Sequence, residues 1–359
     1  ALRAIRDLGA THVWYTGVIR HATSQYNTPS IVKGKAGSPY AITDYYDIDP
    51  DICEDKRRRM HEFEELVERS HQAKLDVIID FVPNHVAREY HSTCKPKGVE
   101  DLGATDNPQW AFSPLNNFYY IHQPFAPSFD VEGYTENPTR ATGNDCFTAH
   151  PSKDDWYETV KLNYGVFYQG SGEQQFDPIP NTWHKMLHIL LFWSNKGVDG
   201  FRCDMAEMVP QAFWAWVIPQ VKAKYPNILF IAEVYNPNLY REYLAAGFDY
   251  LYDKVGMYDY LRGVTSKNWS AEGITLQWQN VDDIRDHMLY FLENHDEQRI
   301  ASGFFCGRGM CAEPAMIVAA TLGKNPVMIY AGQELGEKGM DAEGFSGMDG
   351  KTTIFDYWG

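Results

Sequence analysis

LDVIIDFVPNH, residues 75–85, is a short apolar run that ends in polar chemistry. Residues 75–82 are apolar apart from Asp76 and Asp80, and the run is too brief for a buried helix. It reads as a strand covered on both faces, with Asn84 and His85 just beyond its C-terminal end. Comparable runs lie on either side: THVWYT (11–16), VDGFRCD (198–204), ILFIAEV (228–234), FDYLYD (248–253), MLYFLEN (288–294) and PVMIYAG (326–332). Between them, residues 58–73, 182–195, 210–224, 238–246 and 313–322 have helical spacing. Strand–helix alternation of this kind implies an α/β chain with a parallel sheet.

Seven such strands are one short of the eight that close a (β/α)8 TIM barrel. ALRAIRDLG (1–9) reads as a helix already under way, so the missing N-terminal strand is expected before it. An open doubly wound sheet competes, but no Gly-rich phosphate loop follows an early strand. One connection breaks the rhythm: about 90 residues follow FVPNH before the next helix, an uncommon length for a structureless loop. This stretch, rich in Pro, Gly, Asn and aromatics, is expected to be an inserted domain after the third barrel strand. The expected division is therefore 1–85, first part of the barrel; 86–175, inserted domain; and 176–359, second part of the barrel.

Bulk properties narrow the partners. A net charge of −16 argues against nucleic acid and anionic membranes, which need basic patches. No apolar run reaches the length of a membrane span. Aromatic residues make up 14% of the 359 residues, which suits flat contacts to sugar rings and equally suits a large core. Cys53, Cys94, Cys146, Cys203, Cys306 and Cys311 are too sparse for a disulfide framework or a zinc knuckle. Cys306 and Cys311 are near enough in sequence either to bridge or to stay free.

Catalytic groups of α/β barrels sit at the C-terminal ends of strands. Here those ends carry Asp80, Asn84-His85, Arg202-Cys203-Asp204, Glu233 and Asn294-His295-Asp296. A single Asp there is commonly a turn or cap residue. Several acids together repel one another and serve no structural purpose, so their convergence points to chemistry. Glycoside cleavage needs this set: a nucleophilic carboxylate and a protonated carboxylic acid, roughly 5–5.5 Å apart in a retaining enzyme. Arg202, two residues from Asp204 on the same side of the strand, can hold that carboxylate ionised.

DFVPNH (80–85), GFRCD (200–204), AEV (232–234) and FLENHD (291–296) resemble, in order and strand position, the four short motifs of the α-amylase superfamily of glycoside hydrolases. YAITDYYDIDP (40–50) resembles the loop after the second barrel strand of the same family, and ENHDEQRIAS (293–302) and MIYAGQELGE (328–337) resemble its seventh and eighth strand regions. The resemblance implies Asp204 as nucleophile, Glu233 as general acid/base and Asp296 as transition-state stabiliser. It implies that Arg202 orients Asp204, that His85 and His295 bind sugar hydroxyls, and that Tyr40 stacks on the ring. Asp80 is implied as a structural hydrogen-bonding partner. The β-sandwich that usually follows the barrel in the family is not expected within this chain.

Some positions depart from the family pattern. Glu207-Met208 stand where many α-amylases carry Lys-His, and Ser38 stands where His often precedes the stacking Tyr. Family calcium sites use the Asn that corresponds to Asn84, with an Asp whose match in VKLN (160–163) is Lys161. An ammonium there repels a hard cation, so no metal is expected and the chemistry needs no cofactor. The resulting expectation is a retaining hydrolase of α-glucosidic bonds in starch, maltodextrin or related α-glucans. A transglycosylase or sugar isomerase on the same scaffold is the alternative. A non-catalytic binding protein would have eroded acids, and a metal-dependent hydrolase would show paired ligand motifs. Substrate type favours a periplasmic or exterior location; oligomeric state is left open.

Overall fold

Asp76–Phe81 is a strand between two parallel neighbours in the computed structural model, which describes residues 1–339 and 349–357. His12–Tyr15 pairs on one side (Trp14 opposite Ile78) and Gly200–Cys203 on the other (Asp80 opposite Arg202). Val77, Ile79 and Phe81 are buried on one face, and Ile78 and Asp80 on the other. Burial on both faces is why the run is apolar apart from exposed Asp76 and the hydrogen-bonded Asp80. Each such aliphatic or aromatic side chain contributes roughly 1.5–3 kcal/mol.

The chain divides into two compact units, Ala1–Phe230 and Ile231–Gly359. In the first, helix Arg59–Gln72 buries Phe63, Val67 and Ser70, spaced four and three apart on one face. Phe63 meets Trp193 of helix Asn181–Asn195 edge to face, with ring centroids 5.5 Å apart. Lys74, with φ 60°, turns the chain out of the helix and into Asp76–Phe81. Leu2–Asp7 and Gln211–Lys224 complete the helices anticipated in this unit.

Residues 42–48 form a strand, Ile42–Ile48, antiparallel to Ile19–His21, within the stretch whose resemblance implies a loop. All seven of its residues are buried, yet Thr43, Asp44 and Asp47 interrupt its hydrophobicity. Partners account for the buried acids. Asp47 takes Arg20 and Arg59, and Asp44 accepts from Ser92 Oγ and the Thr93 and Cys94 amides.

Between His85–Ala87 and the helix at Asn181 the strands are short. Tyr120–Ile121 pairs with Thr139–Arg140, and Thr159–Lys161 returns antiparallel onto His85–Ala87. A charged cluster helps hold this stretch. Glu136 lies 2.8 Å from Arg88 Nη1 and 2.7 Å from Arg140 Nη2. Burial acts to raise the Glu136 carboxyl, but Arg140, Arg88 and hydrogen bonds outweigh it and hold the group at about 2.

In the second unit, the Ile231–Ala232 end of strand Leu229–Ala232 pairs in parallel with Tyr250–Tyr252, which pairs in turn with Met288–Leu289. The run 326–332 is represented by one parallel bridge, Tyr290 to Val327. Helices Tyr240–Ala245 and Glu313–Thr321 fall where the spacing places them; Asp259–Ser266 and Gly273–Asn280 are additional. Cys306 and Cys311 are joined in a disulfide. Among the described residues, no helix is long and apolar enough to cross a membrane.

Candidate active site

Arg202, opposite Asp80 in the parallel ladder, brings two acids together. Its Nη1 lies 2.8 Å from Asp204 Oδ1 and 3.3 Å from Asp80 Oδ1, with all three side chains buried. Trp14, one strand over, donates from Nε1 to Asp80 Oδ2 at 3.1 Å. The guanidinium also lies over the rings of Trp14 and Tyr40, at 5.3 and 5.5 Å from their centroids. Asp204 is thus hydrogen-bonded to a cation that two aromatic faces and a second carboxylate hold in place.

Directly after Asp204, Met205 adopts φ 43°, ψ 45°, the left-handed region that side chains with a Cβ rarely enter. Such strain concentrates at sites where surrounding structure dictates an exact backbone path. No signal in the sequence marks it.

The turn after Phe81 is tied from outside. The Tyr45 hydroxyl donates to the Val82 carbonyl and that of Tyr164 to the Pro83 carbonyl, so both phenols satisfy backbone that a turn leaves unpaired. His85 follows, buried, with its ring 5.2 Å from that of Trp156. Burial pushes His85 down to about 3, and the ammonium groups of Lys161 and Lys33 add to the effect. The imidazole is therefore neutral at ordinary pH, suited to hydrogen bonding with an uncharged hydroxyl. Gly143 packs against it so closely that a Cβ there would lie 2.4 Å from Thr159 Oγ1 and 2.9 Å from His85 Cβ.

Asn84 donates to the Gly143 carbonyl and accepts, on Oδ1, from Lys161 Nζ at 2.7 Å. The same ammonium lies 2.6 Å from Asp145 Oδ1. The Asn84 oxygen that a calcium ion would take as a ligand already holds a buried ammonium, and that ammonium stands at the second ligand position, so these residues do not fit that ion. A separate grouping, Asp44, Asp47 and Cys94, has ligand atoms close together, but Arg20 and Arg59 already neutralise Asp47.

Glu233, His295 and Asp296 lie in the second unit. Glu233 is buried, and its Oε1 accepts from the Tyr235 hydroxyl at 2.6 Å. His295 Nε2 lies 3.1 Å from Asp296 Oδ2. Asn294 Oδ1 accepts from the amides of Asp296 and Glu297, and Glu293 Oε1 from the amide of Ile300. Side-chain carbonyl and carboxylate groups thus set the path of the turn that presents Asp296. Nothing in the sequence singles out Trp14, Tyr45, Tyr164 and Tyr235. Aromatic residues are too numerous here for composition to mark them, although Tyr235 stands two residues from Glu233.

The model of the alpha-amylase catalytic domain matches residues 1–354. The chain belongs to the alpha-amylase family. It is 27% identical over 323 residues to "Alpha-amylase 3" of Dictyoglomus thermophilum, covering 84% of this chain and 54% of that protein. It is 25% identical over 279 residues to the alpha-1,4-glucan:maltose-1-phosphate maltosyltransferase of Cereibacter sphaeroides, covering 73% of this chain and 38% of that one. The chain thus spans about half or less of the length of these curated relatives. The crystal structure of an alpha-amylase from Lactobacillus plantarum superposes with a TM-score of 0.64 at 24% identity, over 99% of this chain and 68% of that one. That likeness shows the fold, a TIM-barrel-like arrangement to which the parallel strands in both units conform.

Proposed function

We propose that this member of the family is a retaining glycoside hydrolase that cleaves α-glucosidic bonds in starch, maltodextrin or related α-glucans. Asp204 attacks the anomeric carbon as the glycosidic C–O bond breaks, and Glu233 passes its proton to the departing oxygen. Water then adds to that carbon, Glu233 takes its proton, and the ester bond to Asp204 is released. Asp296 stabilises the positive charge that develops on the ring. Tyr40 supplies a stacking face, and His85 and His295 hydrogen-bond sugar hydroxyls. No metal or cofactor takes part. Residues 86–175 serve as an inserted domain that helps set substrate binding.

The observation that carries this reading is the grip of Arg202 on Asp204 at 2.8 Å, which keeps a buried carboxylate ready to act as nucleophile. Asp204→Asn and Glu233→Gln in the full-length protein should fold as the parent does and lose nearly all turnover of maltodextrin. NMR of the first-formed product should show the α-anomer. Parent-like turnover in either variant, or a β-anomeric product, rejects the assignment.

A transglycosylase is the second reading. It is favoured by Glu207-Met208 beside the nucleophile and by similarity to a maltosyltransferase. Longer oligosaccharides formed from maltotriose would support it; shorter reducing sugars alone would exclude it.

A further inference from the structure

Glu233 and Tyr235 lie two residues apart just past strand Leu229–Ala232, and a hydrogen bond joins their side chains. Glu233 is 3% exposed, Tyr235 is half-buried, and the phenol donates to Oε1 at 2.6 Å, at the short end for an O–H···O bond. A neutral carboxylic acid has one carbonyl-type oxygen, the better acceptor, and one oxygen bearing the proton. The oxygen that receives the phenol's hydrogen takes the carbonyl role.

We propose that Tyr235 is a positioning residue for proton transfer: by fixing Glu233 Oε1 as the acceptor, it places the transferable proton on Oε2. The proposal rests on Glu233 being the acid/base. As the C–O bond of the substrate breaks, the Oε2 proton moves to the departing oxygen, and the carboxylate left behind keeps the Tyr235 hydrogen bond. That bond becomes charge-assisted and strengthens at the moment the proton leaves. An interaction stronger in the transition state than in the ground state raises kcat and leaves KM nearly unchanged. In the second half-reaction water gives its proton to Oε2, and the starting arrangement returns.

The test uses leaving groups that differ in their need for a proton. Tyr235→Phe removes one hydroxyl and keeps the ring. In the full-length protein, kcat/KM for maltopentaose should fall about tenfold, the factor expected from one hydrogen bond of ordinary strength. The fall should appear in kcat, while kcat/KM for α-maltosyl fluoride, whose leaving group needs little protonation, changes less than about twofold. Thermal unfolding of the variant should match the parent. An equal fall on both substrates would mean a structural role, and no fall on either would mean no role; each overturns the proposal. Glu233→Gln is measured in parallel. If it shows the same dependence on leaving group and Tyr235→Phe does not, the proposal for Tyr235 alone fails. If Glu233→Gln lacks that dependence, the acid/base assignment fails and this proposal with it.

Discussion

Lys161 Nζ donates to Asn84 Oδ1 at 2.7 Å where both side chains are 1% exposed, so an ammonium stands where an Asn carbonyl would face a metal ion. Lys161→Met removes the donor from a buried acceptor and frees Asp145, whose side chain is 44% exposed and regains water. We expect a loss of about 2–3 kcal/mol in urea unfolding, below the usual cost of breaking a fully buried pair. The parent should unfold at the same urea concentration in millimolar calcium or in chelator. Lys161→Asp, which trades the ammonium for a carboxylate, should gain stability from calcium. A calcium response in the parent would overturn this account.

Acid sensitivity should carry the mark of His85. Its ordinary value is 6.5 and burial takes it to about 3, so between these values the unfolded chain binds the extra proton. Its contribution is complete above pH 6.5 and is lost as pH falls toward 3, on the order of a few kcal/mol. His85→Asn should flatten the stability curve between pH 6 and 4.5. Glu136, held at about 2 against an ordinary 4.5, contributes above 4.5 and loses that contribution as pH falls toward 2. The variant should therefore retain its steep loss at the lowest pH. A His85→Asn curve parallel to that of the parent down to pH 4.5 would disprove the linkage.

The division between what the sequence discloses and what it hides follows from the range of the interactions. Asp76–Phe81 and Gly200–Cys203 are legible because burial on both faces demands apolar character, broken in them only at Asp76, Asp80 and Arg202. Arg202 and Asp204 are legible as partners because strand geometry alone places residues i and i+2 together. Ile42–Ile48 is hidden because its buried acids are satisfied by Arg20, Arg59 and Ser92, from other segments of the chain. Trp14 reaches Asp80 across a ladder whose register no local pattern reveals. The left-handed Met205 is imposed by its surroundings, since nothing in the residue type favours that conformation. Lys161 is the intermediate case: its position beside the VKLN match is readable, and its contacts with Asn84 and Asp145 are not.

Arg202 should be irreplaceable in function before it is irreplaceable in folding. One nitrogen serves both Asp80 and Asp204, so Arg202→Met leaves two buried carboxylates without it. We expect kcat to fall about 10²–10³-fold, comparable to the loss of one charge-stabilising donor, with about 3–5 kcal/mol of lost stability. Arg202→Lys restores a positive charge but neither the guanidinium plane over Trp14 and Tyr40 nor its fork. It should recover stability more fully than turnover. Equal recovery of both in steady-state kinetics and urea unfolding would show that charge alone suffices.

Asp253 should be a group whose ionisation costs stability. It is 1% exposed, and burial pushes it up to about 6 against the opposing hydrogen bonds from the Met257 and Gly256 backbone. Among the described residues its Oδ2 has no hydrogen-bond partner, and neither does the nearby Tyr290 hydroxyl. A carboxyl whose folded value lies above its ordinary 3.8 favours the folded state fully only below 3.8. That advantage is lost as pH rises through 6, at about 1.4 kcal/mol per unit. Asp253→Asn keeps an oxygen for the Met257 amide and cannot ionise. It should therefore stabilise the protein by about 1–3 kcal/mol at pH 7.5 and by almost nothing at pH 4. Guanidinium unfolding at the two pH values measures the difference, and a gain independent of pH would assign the effect to packing instead of charge.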